Sequence, residues 1–166
     1  MKRNGVGMRK VLLLCLASFF LIGCASTPKY QNPEEVSYQV KGTVTDVLAA
    51  EEAVQVIEDN LRYASEENMS GYVSTIIAAA REETAAELAT VFETYDLEHT
   101  LLSVEILDQE ENRMLIRTQQ QTVMVDAIEG AENYRNHIAE ANYTMFLEHN
   151  EWKIEETAMT DTKFIE

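Results

Sequence analysis

Few side chains in this sequence have the type and spacing to do chemistry. The three histidines, His99, His137 and His149, suit no metal-ligand spacing, and no cysteine or carboxylate cluster accompanies any of them. No serine lies in a nucleophile context, and the six glycines open no phosphate-binding turn between a strand and a helix. Neither a metal nor a cofactor is expected. Two features remain. His137 and Tyr143 lie six residues apart on one predicted strand, so both project from the same face. Of the two cysteines, Cys15 is embedded in an apolar run and Cys24 closes it, directly after Leu21-Ile22-Gly23.

The run that carries Cys24 has the layout of an export signal. Lys2, Arg3, Arg9 and Lys10 form a basic start, Val11 to Ile22 is apolar, and a small-residue cleavage site follows. The apolar stretch is shorter than the ~20 residues a membrane-spanning helix needs, and no second long one follows. Leu21-Ile22-Gly23-Cys24 resembles the lipobox of bacterial lipoproteins. That resemblance implies diacylglycerol on the Cys24 thiol, cleavage just before it, loss of residues 1–23 as a signal peptide, and a lipid-anchored protein on the extracytoplasmic side of a cell membrane or outer membrane. Cysteine usage agrees, because one exported cysteine cannot form an intramolecular disulfide and an unmodified thiol outside the cell is a liability. At about 0.8 kcal/mol per buried methylene, two or three acyl chains make release negligible.

Charge narrows the partners. Removing the four basic residues of the signal leaves nine of the 13 in the chain against all 29 acidic ones, a formal charge of −20. Such a field opposes nucleic acid and anionic lipid headgroups, which excludes nucleic-acid binding. Solubility is the ordinary use of that excess, and a cationic partner the sharper one. The roughly 140 remaining residues make one domain on a short tether.

Residues 24–42 hold Pro28 and Pro33, the only prolines, and predict a flexible tether reaching on the order of 20 to 25 Å, with a weak strand pattern over Ser37 to Val44. A domain is expected over 43–166. Thr45 and Asp46 can cap a helix in which Val47, Ala50, Val54, Ile57, Leu61 and Ala64 share a face as far as Glu67. Asn68-Met69-Ser70-Gly71 predicts a break, Tyr72 to Ile77 a short second helix, and Glu82 to Tyr95 a third burying Leu88, Val91 and Phe92. The period then changes to two. Strands are predicted over Thr100–Leu107 (Leu102, Val104 and Ile106 on one face), Arg113–Val125, Asn136–Leu147 and Trp152–Met159, joined by tight turns at 108–112 and 148–151 and a longer loop over 126–135. Arg117, Gln119 and Gln121 would then form an outward stripe on the second of these strands.

Helices followed by a meander of long antiparallel strands give an α+β fold, with N-terminal helices packed in the concave face of a curved sheet. This order resembles the nuclear transport factor 2-like (SnoaL-like) cone over roughly Thr43 to Glu166. The pieces that carry the resemblance are Glu67-Asn68-Met69-Ser70-Gly71-Tyr72, Tyr95-Asp96-Leu97 leading into Leu101-Leu102-Ser103-Val104, and Glu151-Trp152-Lys153-Ile154. The resemblance implies a pocket between sheet and helices, where enzymes of the fold place an Asp/His pair or a tyrosine for acid/base work. Tyr63, Asp126, His137, Glu140 and Tyr143 are the residues here that could occupy it. It also implies sheets that pair, hence a homodimer.

Because nothing assembles an active site, the leading expectation is a non-enzymatic binding or accessory module at the cell envelope, with an envelope protein as partner. The alternatives are a pocket enzyme (hydrolase, isomerase or dehydratase) using His137 with Asp126 or Tyr143, and a carrier of a small apolar ligand in a cavity near Met114, Met145 and Phe146. A pocket histidine bonded to a carboxylate would favour the enzyme.

Overall fold

A computed structural model describes residues 27–165. The signal segment and Cys24 lie outside the described residues. Among the described residues, no helix is long and apolar enough to cross a membrane.

Helix α1 (Val47–Ser65) starts where capping chemistry places it, with the Asp46 carboxylate accepting the Ala49 N–H at 3.2 Å. Its buried face is Ala50, Ala53, Val54, Ile57, Leu61 and Ala64. Val47, expected on that face, is 60% exposed, one turn before the helix reaches the sheet. The predicted break at 68–71 is instead the start of α2 (Met69–Ser74), because the Asn68 side chain accepts the Gly71 N–H at 3.0 Å and caps the turn. Helix α3 (Arg81–Thr94) runs straight into the sheet at Tyr95.

The sheet has five strands in the order β1 (Val40–Gly42), β2 (Tyr95–Gln109), β3 (Arg113–Ala127), β4 (His137–Glu148) and β5 (Glu151–Phe164). β2 to β5 form an antiparallel meander, and β1 lies parallel to β2. The β4–β5 turn places His149 and Asn150 at φ 53° and 66°, the left-handed pair that a two-residue hairpin requires. β2 and β5 extend well beyond their predicted ends, since long strands stay paired after the alternation of buried residues stops.

A bulge changes the predicted face of β2. Its register slips between Leu101 and Ser103, so Leu101 turns inward with Val104 and Ile106, while Leu102 becomes the extra residue. The α+β expectation otherwise holds: helices pack against a curved five-stranded sheet. The core between α1 and the sheet centres on Ile57, Ile106, Ile116 and Met145, each at most 1% exposed, with Trp152 and Ile154 closing it. Burying each such aliphatic side chain contributes about 1.5 to 3 kcal/mol.

Residues 27–42 do not hang free of this core. The Tyr38 hydroxyl donates to Glu58 on α1, and Val40 to Gly42 pair with Val104 to Ile106 of β2.

Candidate functional site

Above the core, the inner faces of β2 to β5 diverge from α1 and α3 and leave a cavity of about 350 Å³. α1 contributes Asn60, Leu61 and Ala64, α2 contributes Tyr72, α3 contributes Leu88, Val91 and Phe92, and the sheet and the β3–β4 loop contribute most of the polar groups. Among the described residues, no aspartate, glutamate, lysine or arginine lines it.

At its floor the Tyr143 hydroxyl, buried at 2% exposure, donates to Gln120 Oε1 at 3.0 Å. Burial, and secondarily Tyr72, raises the Tyr143 pKa well beyond that of an ordinary phenol, so this hydroxyl keeps its proton. Among the described residues the other end of the Gln120 amide has only a weak partner, Met159 Sδ at 3.8 Å, which leaves an N–H donor for a bound molecule. Met159 is 58% exposed at the rim.

Two histidines stand in the wall. His137 Nδ1 lies 3.0 Å from the Arg135 carbonyl, a contact that needs the hydrogen on Nδ1. His99 Nδ1 lies 3.1 Å from Thr122 Oγ1, and burial, with the nearby His137 second, pushes its pKa down to about 4. His99 is therefore neutral near pH 7. Around them the rings of Tyr95 and Tyr134 (5.5 Å), Tyr134 and His137 (5.9 Å), and His137 and Phe164 (6.4 Å) follow one another, and Tyr95, Tyr134 and His137 form an aromatic wall of the cavity.

The structure brings together His137 and Tyr143, as their shared strand face predicts, and separates the rest. Asp126 lies exposed at the end of β3 in a shallow surface depression, where its carboxylate accepts its neighbour's amide, the Ala127 N–H at 2.8 Å. Tyr63 packs its ring over Gly71 and under the Arg62 guanidinium, 4.2 Å from the ring centre. Glu140 points away from the cavity and accepts from Thr160 Oγ1 at 3.0 Å. Neither cavity histidine has a carboxylate as its Nδ1 partner. Met114 and Met145 are buried at 1% and 0% exposure and do not line this cavity, which their neighbour Tyr143 does.

Sequence reasoning missed Asn60, Gln120 and His99. The first two carried a signal. Asn60 interrupts the apolar stripe of α1 between Ile57 and Leu61, and Gln120 shares inward parity with Met114, Ile116 and Thr118. Asn60 donates to Thr75 Oγ1 at 2.7 Å, which ties α1 to the residue after α2. Gln121 does not join an open outward stripe, because the backbone of Gln31 bonds to it and its exposure is 1%.

Over residues 55–165 the sequence matches the family described as anti-sigma-I factor RsgI9, C-terminal domain. The chain belongs to this family. The matched span contains every residue named around the cavity. No curated protein matches the chain.

Similar solved structures share the fold at low identity. A protein of unknown function with a cystatin-like fold from Nostoc punctiforme superposes with a TM-score of 0.58 at 11% identity, covering 70% of this chain and 93% of that one. An NTF-2 like protein of unknown function from Shewanella oneidensis gives 0.51 at 10% identity, covering 68% and 99%. A putative scytalone dehydratase from Novosphingobium aromaticivorans gives 0.53 at 12% identity, covering 70% and 87%. The fold is thus the nuclear transport factor 2-like cone expected from the order of elements.

Proposed function

We propose that this chain is a non-enzymatic binding module, anchored through a lipid on Cys24 at the extracytoplasmic face of the membrane, whose concave cavity takes a neutral small molecule or side chain. The observation that carries the binding role is the uncharged, aromatic-walled cavity with a free amide donor at Gln120. A charged ligand would find no partner there and would lose its hydration, whereas a neutral ring with a hydroxyl or carbonyl would stack on the aromatic wall and bond to Gln120. The histidines bond a backbone carbonyl and a threonine hydroxyl rather than a carboxylate, which supports binding over acid/base turnover. Membership of a family described as part of an anti-sigma factor supports a role in regulation rather than catalysis. The lipobox resemblance of Leu21-Ile22-Gly23-Cys24 supports the anchor.

Two measurements test the two halves. Titration with p-cresol, a small neutral phenol, is expected to shift the backbone amides of Asn60, Gln120 and Tyr143, and Ala64→Phe is expected to abolish the response by filling the space. Shifts confined to other surfaces would overturn the cavity reading. For the anchor, metabolic labelling with a tagged fatty acid should mark the native chain and not Cys24→Ala; equal labelling of both would refute it.

A further inference from the structure

Residues 33–38, the second half of α1 and the first half of β2 enclose another space, a slot of about 590 Å³. It follows the outer edge of β2 where β1 does not reach, because β1 pairs only with Val104 to Ile106. The His99 N–H turns to this edge and donates to Ser65 Oγ at 2.9 Å. In an antiparallel strand, groups facing one edge recur every second residue, so Leu101 presents its N–H and C=O to the same side. Nothing in the pairing of β1 covers them.

The slot's walls are acidic. Glu58, Asp59, Glu66 and Glu98 line it with Arg62. Arg62 is held by Asp59 at 2.9 Å and Glu66 at 3.2 Å, and Glu58 accepts the Tyr38 hydroxyl. Among the described residues no ion pair involves Glu98. Thr100 borders the slot at 8% exposure, and among the described residues its hydroxyl oxygen has no hydrogen-bond partner.

We infer that this slot docks an extended segment of a partner protein, adding a strand to the free edge of β2 at Leu101 and placing a lysine or arginine side chain against Glu98. An unpaired strand edge supplies backbone recognition, and the acidic wall selects a cationic sequence. An acidic segment would be repelled by the wall, and a helical one could not pair with the edge. The site is separate from the concave cavity, and only His99 and Leu61 border both.

The test uses the full chain in nanodiscs of zwitterionic lipid and a blocked Val-Lys-Val-Lys-Val peptide. Amide shifts are expected at Ser65 and from Glu98 to Leu101, with hydrogen exchange at Leu101 slowed at least tenfold at saturation. Glu98→Lys should weaken the peptide at least tenfold and Glu98→Gln about threefold, the second variant serving if the first perturbs folding. N-methylation of either all the valines or all the lysines should abolish binding, since one of the two phases faces β2. The inference is overturned by no binding at millimolar peptide, by shifts elsewhere on the surface, or by binding that ignores both Glu98→Lys and N-methylation, the mark of general attraction to an acidic protein.

Discussion

The side-chain amide of Gln121 is bonded at both ends to the backbone of Gln31: its Oε1 accepts the Gln31 N–H at 2.8 Å and its Nε2 donates to the Gln31 carbonyl at 2.8 Å. A side chain here does what a neighbouring strand would do, ninety positions away in sequence. It pins the segment around Gln31 to the outer face of β3; under the proposed anchoring, only the residues before Gln31 would separate the domain from a lipid on Cys24. Gln121→Leu keeps the volume and removes both bonds. We expect a loss of about 1 to 2 kcal/mol and faster proteolysis within residues 27–36, with the rest of the domain resistant. Unchanged cleavage would show that the clasp does not hold the segment.

Gly42 ends β1 at φ +96°, and a Cβ there would stand 2.1 Å from the Ile106 carbonyl oxygen. No side chain fits. Gly42→Ala is expected to destabilise by on the order of 2 kcal/mol, read as a lower urea midpoint at constant slope, because strain and collision both act on the β1–β2 pair. Gly130, also left-handed at φ +86° but with open space around it, should tolerate alanine better.

His99 makes stability depend on pH. Its folded pKa of about 4 lies below the ordinary 6.5, so the unfolded chain takes up the proton first as pH falls. The contribution is therefore complete above about 6.5, declines as pH drops toward about 4 and levels off below. At most about 3 kcal/mol is at stake. Urea midpoints of His99→Gln should fall less than those of the native chain across this window; parallel curves would remove His99 as the cause.

Tyr143→Phe removes the donor to Gln120 Oε1 while preserving the ring. The fold should survive at a cost of about 1 to 3 kcal/mol, since a buried carbonyl oxygen loses its partner. Binding of p-cresol should change in affinity without moving its site, because the freed amide can rotate. An unchanged dissociation constant would mean that the Tyr143–Gln120 pair does not organise the cavity floor.

Much of the fold was legible because its signals are local. The cap at Asp46, the apolar stripe of α1, the period-two runs of β3 and β4, and the left-handed turn at His149-Asn150 each follow from a few neighbouring residues. Where one residue changes the register the pattern misleads, as at Leu102, because a bulge depends on the partner strand rather than on its own side chain.

Composition, Cys24 directly after Leu21-Ile22-Gly23, and the order of helices and strands needed no coordinates. They rest on charge, covalent chemistry and periodicity, which are properties of the chain itself. Which groups share a cavity did need them. His137 and Tyr143 meet because one strand carries both, but His99, Asn60 and Gln120 join them, and Asp126, Tyr63 and Glu140 leave them, only through the twist of the sheet and the path of α1 across it. Contacts between residues far apart in sequence are set by how faces pack, and packing is decided by the whole core at once.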